Sequence, residues 1–191
     1  MPVHRTYAAL WWLPVGAGGH FVVHTSHWWE VMTARREHRP PQPLFHAALE
    51  VFDGEAGHVI EMTPAWGQKV EARGVVATGP VGAGFLGRSR LFRYEVRCWR
   101  DGVIPDRDFA VGEASLIRLT GREVSDMLAR TAEVPPLTWG RDEVGIGDMW
   151  NSNSLIAWLL HTGGIDARSF APPDPGRAPG WLAGIVVAER R

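Results

Sequence analysis

The sequence predicts an α+β domain in which an antiparallel sheet packs against helices, and three observations carry that reading. The Asp53-Gly54 pair, flanked by alternating apolar residues, marks a hairpin, because both central positions of a type I′ turn need positive φ. Stretches at 69–78 and 91–100 are rich in β-branched or aromatic residues and bounded by Gly, Pro or Asp, as strands are. Helix patterns come mainly later, at 123–132 and from 151, so the two kinds of element segregate along the chain.

In chain order, the Gly-rich turn Gly16 to Gly19 precedes a segment readable as helix from about Ser26, where Ser suits an N-cap. Arg39-Pro40-Pro41-Gln42-Pro43 forbids regular structure and delivers the chain extended. In the hairpin, a two-residue turn sets His46 opposite Glu61, and a bulge at Gly57 would shift that register. The other face carries Phe45, Ala47, Leu49 and Val51 against Met62, Ile60 and Ala56, a set suited to a core, with His58 a structural member of it. Helix over 123–132 ends before Pro135-Pro136, and the helix from Asn151 stops at Gly163-Gly164. The connection Ala171 to Gly176 reads as irregular, followed by a short apolar segment from Trp181 to Ala188.

At 191 residues the chain suits one domain with a substantial core. Its formal charge of -1 supplies no electrostatic reason to expect nucleic-acid or anionic-membrane binding. One cysteine, Cys98, excludes an intrachain disulfide and a multi-thiolate zinc site, and its place inside a strand pattern reads as core. No run approaches the roughly 18 apolar residues of a membrane span. The stretch Tyr7 to Leu13 makes a poor signal peptide, being short and interrupted by Pro14. Cytoplasmic synthesis is the default expectation, with export by a machine that reads no N-terminal signal left open.

The segment Trp150-Asn151-Ser152-Asn153-Ser154 places two hydroxyls at a helix start, where unpaired N–H groups and the macrodipole favour developing negative charge. Helix capping explains such residues equally well. A helix-start nucleophile, a strand histidine and a carboxylate on the next strand are nevertheless the three roles of covalent acyl transfer. His46 would take the Ser152 proton and Glu61 would hold the imidazole. Asn151 or Asn153, with backbone amides, would complete an oxyanion hole, and Trp150 would be a substrate contact.

At these residues the sequence resembles the permuted papain-like hydrolases, the group related to NlpC-type peptidases and lecithin retinol acyltransferase-like proteins. Phe45-His46-Ala47-Ala48-Leu49 and Val59-Ile60-Glu61 look like their first two elements, and Trp150-Asn151-Ser152-Asn153-Ser154-Leu155 like the third, with Ser152 at the cysteine position. The same stretch with Pro179-Gly180-Trp181 is similar to C-terminal domains of bacterial Rhs-type polymorphic toxins. The resemblance divides the chain into an extension, 1–43, and a papain-like core, 44–185. It implies a nucleophile at a helix N-terminus, no cofactor, a peptide, peptidoglycan or lipid-ester substrate, and a cognate immunity protein as partner. Serine for cysteine leaves three readings open: a working serine hydrolase, a pseudoenzyme that binds while Ser152 caps a helix, and an engineered inactivation.

Other signals carry less. His20, His24 and His27 have a spacing that could bind a metal, but lack a carboxylate cluster. Gly82 to Gly87 matches a dinucleotide loop but is followed by strand where that motif requires helix, so it reads as loop. The tryptophan pairs Trp11-Trp12 and Trp28-Trp29 read mainly as core.

Overall fold

The computed structural model describes residues 6–16, 30–65, 74–104 and 106–190. Strands β1 (Tyr7–Pro14), β2 (Phe45–Phe52), β3 (Gly57–Pro64), β4 (Val75–Pro80), β5 (Arg93–Arg100) and β6 (Ser115–Arg118) form one antiparallel sheet, ordered β4-β5-β3-β2-β1-β6. The helices are α1 (30–36), α2 (Gly121–Arg130), α3 (Ser152–Thr162) and α4 (Trp181–Glu189). The fold is therefore α+β. The expected turn at 16–19 and helix start at Ser26 lie wholly or largely outside the described residues, as does the first part of the strand expected from Lys69.

The hairpin forms at Asp53-Gly54, but with a different register. Leu49 faces Ile60 and Phe52 faces Gly57, across a four-residue loop in place of a two-residue turn. The cause is the Asp53 side chain. Its Oδ1 accepts the N–H groups of Glu55 and Ala56, each at 2.8 Å, and its Oδ2 meets His58 Nε2 at 3.0 Å, so the loop is built around a carboxylate. These donors also hold the Asp53 carboxyl well below its ordinary range. His46 is thus not opposite Glu61; its partner is Leu13 on β1. A two-residue shift preserves facing, so the apolar set of the hairpin still forms the core face.

β1 pairs with β2 along all eight of its residues and with β6 on its other side. The segment before residue 44, set apart as an extension in sequence, thus contributes an interior strand. Four-residue β6 has no signature long enough for periodicity to reveal.

α3 lies across the core face, with every residue from Asn153 to Leu160 buried. A helix apolar all round must be covered on all sides, and α2 and α4 supply the remaining cover. α2 starts with a capping box between Thr120 and Glu123. α4 approaches α3 closely at Gly184, where an added Cβ would lie 2.2 Å from the Ser154 carbonyl oxygen and 2.8 Å from Ser154 Cα. Backbone cannot yield as a side-chain end can. Gly184→Ala is therefore expected to cost about 1–3 kcal/mol despite the better helix propensity of alanine. Thermal unfolding followed by circular dichroism should show Tm lowered by roughly 3–10 °C.

Candidate active site

The corner where α3 begins is one hydrogen-bonded unit joining three remote parts of the sequence. Asn151 is the N-cap: its Oδ1 accepts from Asn153 N at 2.9 Å and Ser154 N at 3.3 Å. Ser154 closes the box, its Oγ accepting from Asn151 N at 3.0 Å and reaching the Gly180 carbonyl at 2.7 Å. Asp148 binds the incoming end of α4 through Gly180 N at 2.6 Å and Ala183 N at 3.2 Å. Burial pushes the Asp148 carboxyl up in spite of these donors. Gly180 adopts φ +89°, and a Cβ there would fall 2.2 Å from Asn151 Oδ1, so only glycine fits. The distal Pro-Gly-Trp and the Asn-Ser-Asn-Ser run are thus complementary halves of one joint.

Asn153 fastens this joint to the sheet. β3 leaves β2 beyond Leu49, so the edge of β2 near His46 needs other partners. Asn153 Oδ1 accepts from Ala47 N at 2.7 Å, and its Nδ2 donates to the carbonyls of Phe45 at 3.0 Å and Pro179 at 2.8 Å. One carboxamide therefore replaces a strand peptide. It bonds the backbone on either side of His46, which brings Ser152, the preceding residue, to the same corner.

Ser152 itself is the first residue of α3, half-buried, and its hydroxyl makes no hydrogen bond with any described residue. It does not cap the helix, since Asn151 does. The Asn151 and Asn153 carboxamides, expected to bind an oxyanion, are both committed to the fold. Of the first-turn amides, those of Asn153 and Ser154 are taken by the cap, which leaves the Ser152 N–H as the donor available at this helix end. Trp150, expected to contact substrate, is 1% exposed and belongs to the core.

His46 alternates with Phe45 and Ala47, so its imidazole belongs to the sheet face opposite α3, the face of Ala48, Leu13 and Val59. Desolvation pushes its pKa below the ordinary histidine value, while the Asp106 charge and the Ala47 carbonyl oppose that shift without cancelling it. Asp106 belongs to the loop after β5 and stands in an unremarkable stretch of sequence; no local signal could have found it. Glu61 shares the His46 face but is drawn to Arg97, whose Nη1 lies 3.5 Å from its Oε1, and Arg97 in turn binds Glu95 at 2.7 Å. The carboxylate whose charge acts on His46 is thus Asp106, where Glu61 was expected.

Among the described residues no cluster of His, Cys, Asp and Glu could hold a metal ion, and His20, His24 and His27 lie outside them. No described helix is long and apolar enough to cross a membrane. Comparison of the chain with protein-family models, with curated proteins and with solved structures finds no match.

Proposed function

We propose that this chain is a hydrolase or acyltransferase of the permuted papain-like kind, acting on an amide or ester through Ser152. The observation that carries the proposal is the selective idleness of Ser152. Its three polar neighbours in the motif are all consumed by the joint between α3, α4 and β2, whereas its hydroxyl bonds none of the described residues and stands at the positive end of a buried helix. In the reaction, Ser152 Oγ attacks the substrate carbonyl carbon while His46 removes the hydroxyl proton. Collapse of the tetrahedral intermediate breaks the bond to the leaving group, which receives that proton from His46. Water, or a second acceptor, then releases the acyl group. The Ser152 N–H and the α3 dipole stabilise the oxyanion, and Asp106, not Glu61, stabilises the imidazolium. The resemblance to toxin domains extends the proposal to a peptide, peptidoglycan or lipid-ester substrate and a cognate immunity protein.

A fluorophosphonate probe tests this directly: peptide mapping should find the adduct on Ser152. Because His46 is active when neutral and its pKa lies below the ordinary value of 6.5, the labelling rate should be flat across neutral pH and fall only under more acidic conditions. A midpoint above 6.5 would remove His46 from the mechanism.

One observation favours a second reading, a binding module without catalysis: the imidazole lies on the face opposite the one α3 covers. In that case no serine adduct forms on the folded protein.

A further inference from the structure

The chain's near-zero net charge conceals a strongly one-sided surface. Between Glu71 and Glu95 the sequence contains no Asp or Glu, but it holds Arg88, Arg90 and Arg93 within the stretch Gly84-Phe85-Leu86-Gly87-Arg88-Ser89-Arg90-Leu91-Phe92-Arg93. This stretch joins edge strand β4 to β5 as a protruding loop of two short 3₁₀ turns. Its apolar side chains point to solvent: Phe85 is 79% exposed, Leu91 67% and Phe92 43%. A loop that exposes three large apolar residues has not folded them away for stability.

The loop also carries cations. Arg39, Arg97, Arg107, Arg168 and Arg177 each meet a carboxylate, whereas other described arginines, Arg118 and Arg190 among them, do not. Arg88, Arg90 and Arg93 form no ion pair with any described residue. Arg93 is instead held in place by the carbonyls of Gly87 at 3.1 Å and Arg88 at 3.3 Å, which leaves guanidinium N–H groups for a ligand. Arg88 and Arg93 border an open cavity of about 420 Å³ with Thr78, Gly79, Pro80 and Pro136. The strands packed against the loop, β4 and β5, carry one carboxylate, Glu95, and it is bound to Arg97 at 2.7 Å.

We infer that the loop 84–93 is a membrane-docking element that inserts Phe85, Leu91 and Phe92 among the lipids of an anionic bilayer surface while Arg88, Arg90 and Arg93 bind its phosphate headgroups. Interfacial binding of this sort needs both parts, apolar side chains that leave water and cations that meet anionic lipid. Here both project from a single loop, with a cavity of headgroup size between two of the arginines. The overall charge predicted no such contact because it averages this loop with the acidic remainder of the chain.

Flotation of the full chain with vesicles tests the inference. Vesicles of phosphatidylcholine with about a third phosphatidylglycerol should carry the protein up the gradient, and pure phosphatidylcholine vesicles should not. Phe85→Ser with Leu91→Ser, and separately Arg88→Gln with Arg90→Gln, should each reduce the partition coefficient by roughly tenfold or more. Arg122→Gln, on an exposed arginine of α2 paired with Asp126, should leave it unchanged. All these side chains are exposed, so circular dichroism should show every variant folded. Failure of the wild-type chain to float with anionic vesicles overturns the inference. So does undiminished binding by the serine variant, or binding of a single-stranded oligonucleotide with no vesicle association. None of these outcomes bears on Ser152 labelling.

Discussion

Asn153→Ala is expected to destabilise the protein by about 3–5 kcal/mol, which is the largest effect on stability that any single polar side chain here should have. The substitution leaves two buried backbone groups without partners, the Ala47 N–H and the Phe45 carbonyl, and removes one of the two donors to the Pro179 carbonyl, which keeps Asn151 Nδ2. Each is enclosed where water cannot replace the lost bond at full strength, and an unsatisfied buried group costs about 1–3 kcal/mol. Asn153→Asp should not rescue it, because the carboxylate retains an acceptor for Ala47 but turns a negative oxygen onto the Phe45 and Pro179 carbonyls and gives Phe45 no donor. Urea unfolding should show the midpoint lowered in both variants, and thermal unfolding a Tm decrease of roughly 10 °C or more. A shift of less than a few degrees would mean that the joint between β2, α3 and the Pro179 loop is held by something else.

Ser152→Ala should do the reverse, leaving stability within about 0.5 kcal/mol of wild type because the hydroxyl bonds no described residue. Its effect should fall on chemistry. Hydrolysis of an activated ester is expected to drop by about a thousandfold or more, as when the nucleophile of a serine–histidine pair is deleted. Ser152→Cys separates the proposed enzyme from a binding module. A thiol at a helix N-terminus has a lowered pKa and should alkylate rapidly with iodoacetamide. Cys98 is a slow background to that measurement, since burial pushes its thiol up. If Ser152→Ala hydrolyses the ester at the wild-type rate, and Ser152→Cys alkylates no faster than Cys98, the catalytic proposal fails.

The pair of variants also shows how unevenly the site was legible. The spacing of Asn, Ser and apolar residues from Asn151 predicted a helix start there, and the structure has one. Which residue caps it was not legible, because Asn and Ser serve equally well in local chemistry. The choice came from Gly180, which receives Ser154, and from the β2 backbone at Phe45 and Ala47, which takes Asn153 and leaves Asn151 Oδ1 to the cap, while the Nδ2 groups of both asparagines meet the Pro179 carbonyl. For the same reason Trp150 and the two asparagines looked free for a substrate in the sequence and are buried in the fold. Likewise, Gly82 to Gly87 was readable as a loop from its glycines, but Leu91 and Phe92 read as the start of a strand, and nothing marked the stretch as a charged apolar projection.

Local patterning by itself determined the class of the fold, the apolar face of the hairpin, the helical spans of α2 and α3 and the burial of their apolar residues. Those properties depend on periodicity and turn chemistry, which are short-range and survive a register error of two residues. Tertiary structure alone decided the loop length at Asp53, the loss of the His46–Glu61 pairing, the place of β1 inside the sheet between β2 and β6, and the action of the Asp106 charge on His46. Each of these rests on hydrogen bonds or fields between groups remote in sequence, or on a side chain competing with the backbone for the same donors, and neither leaves a periodic trace.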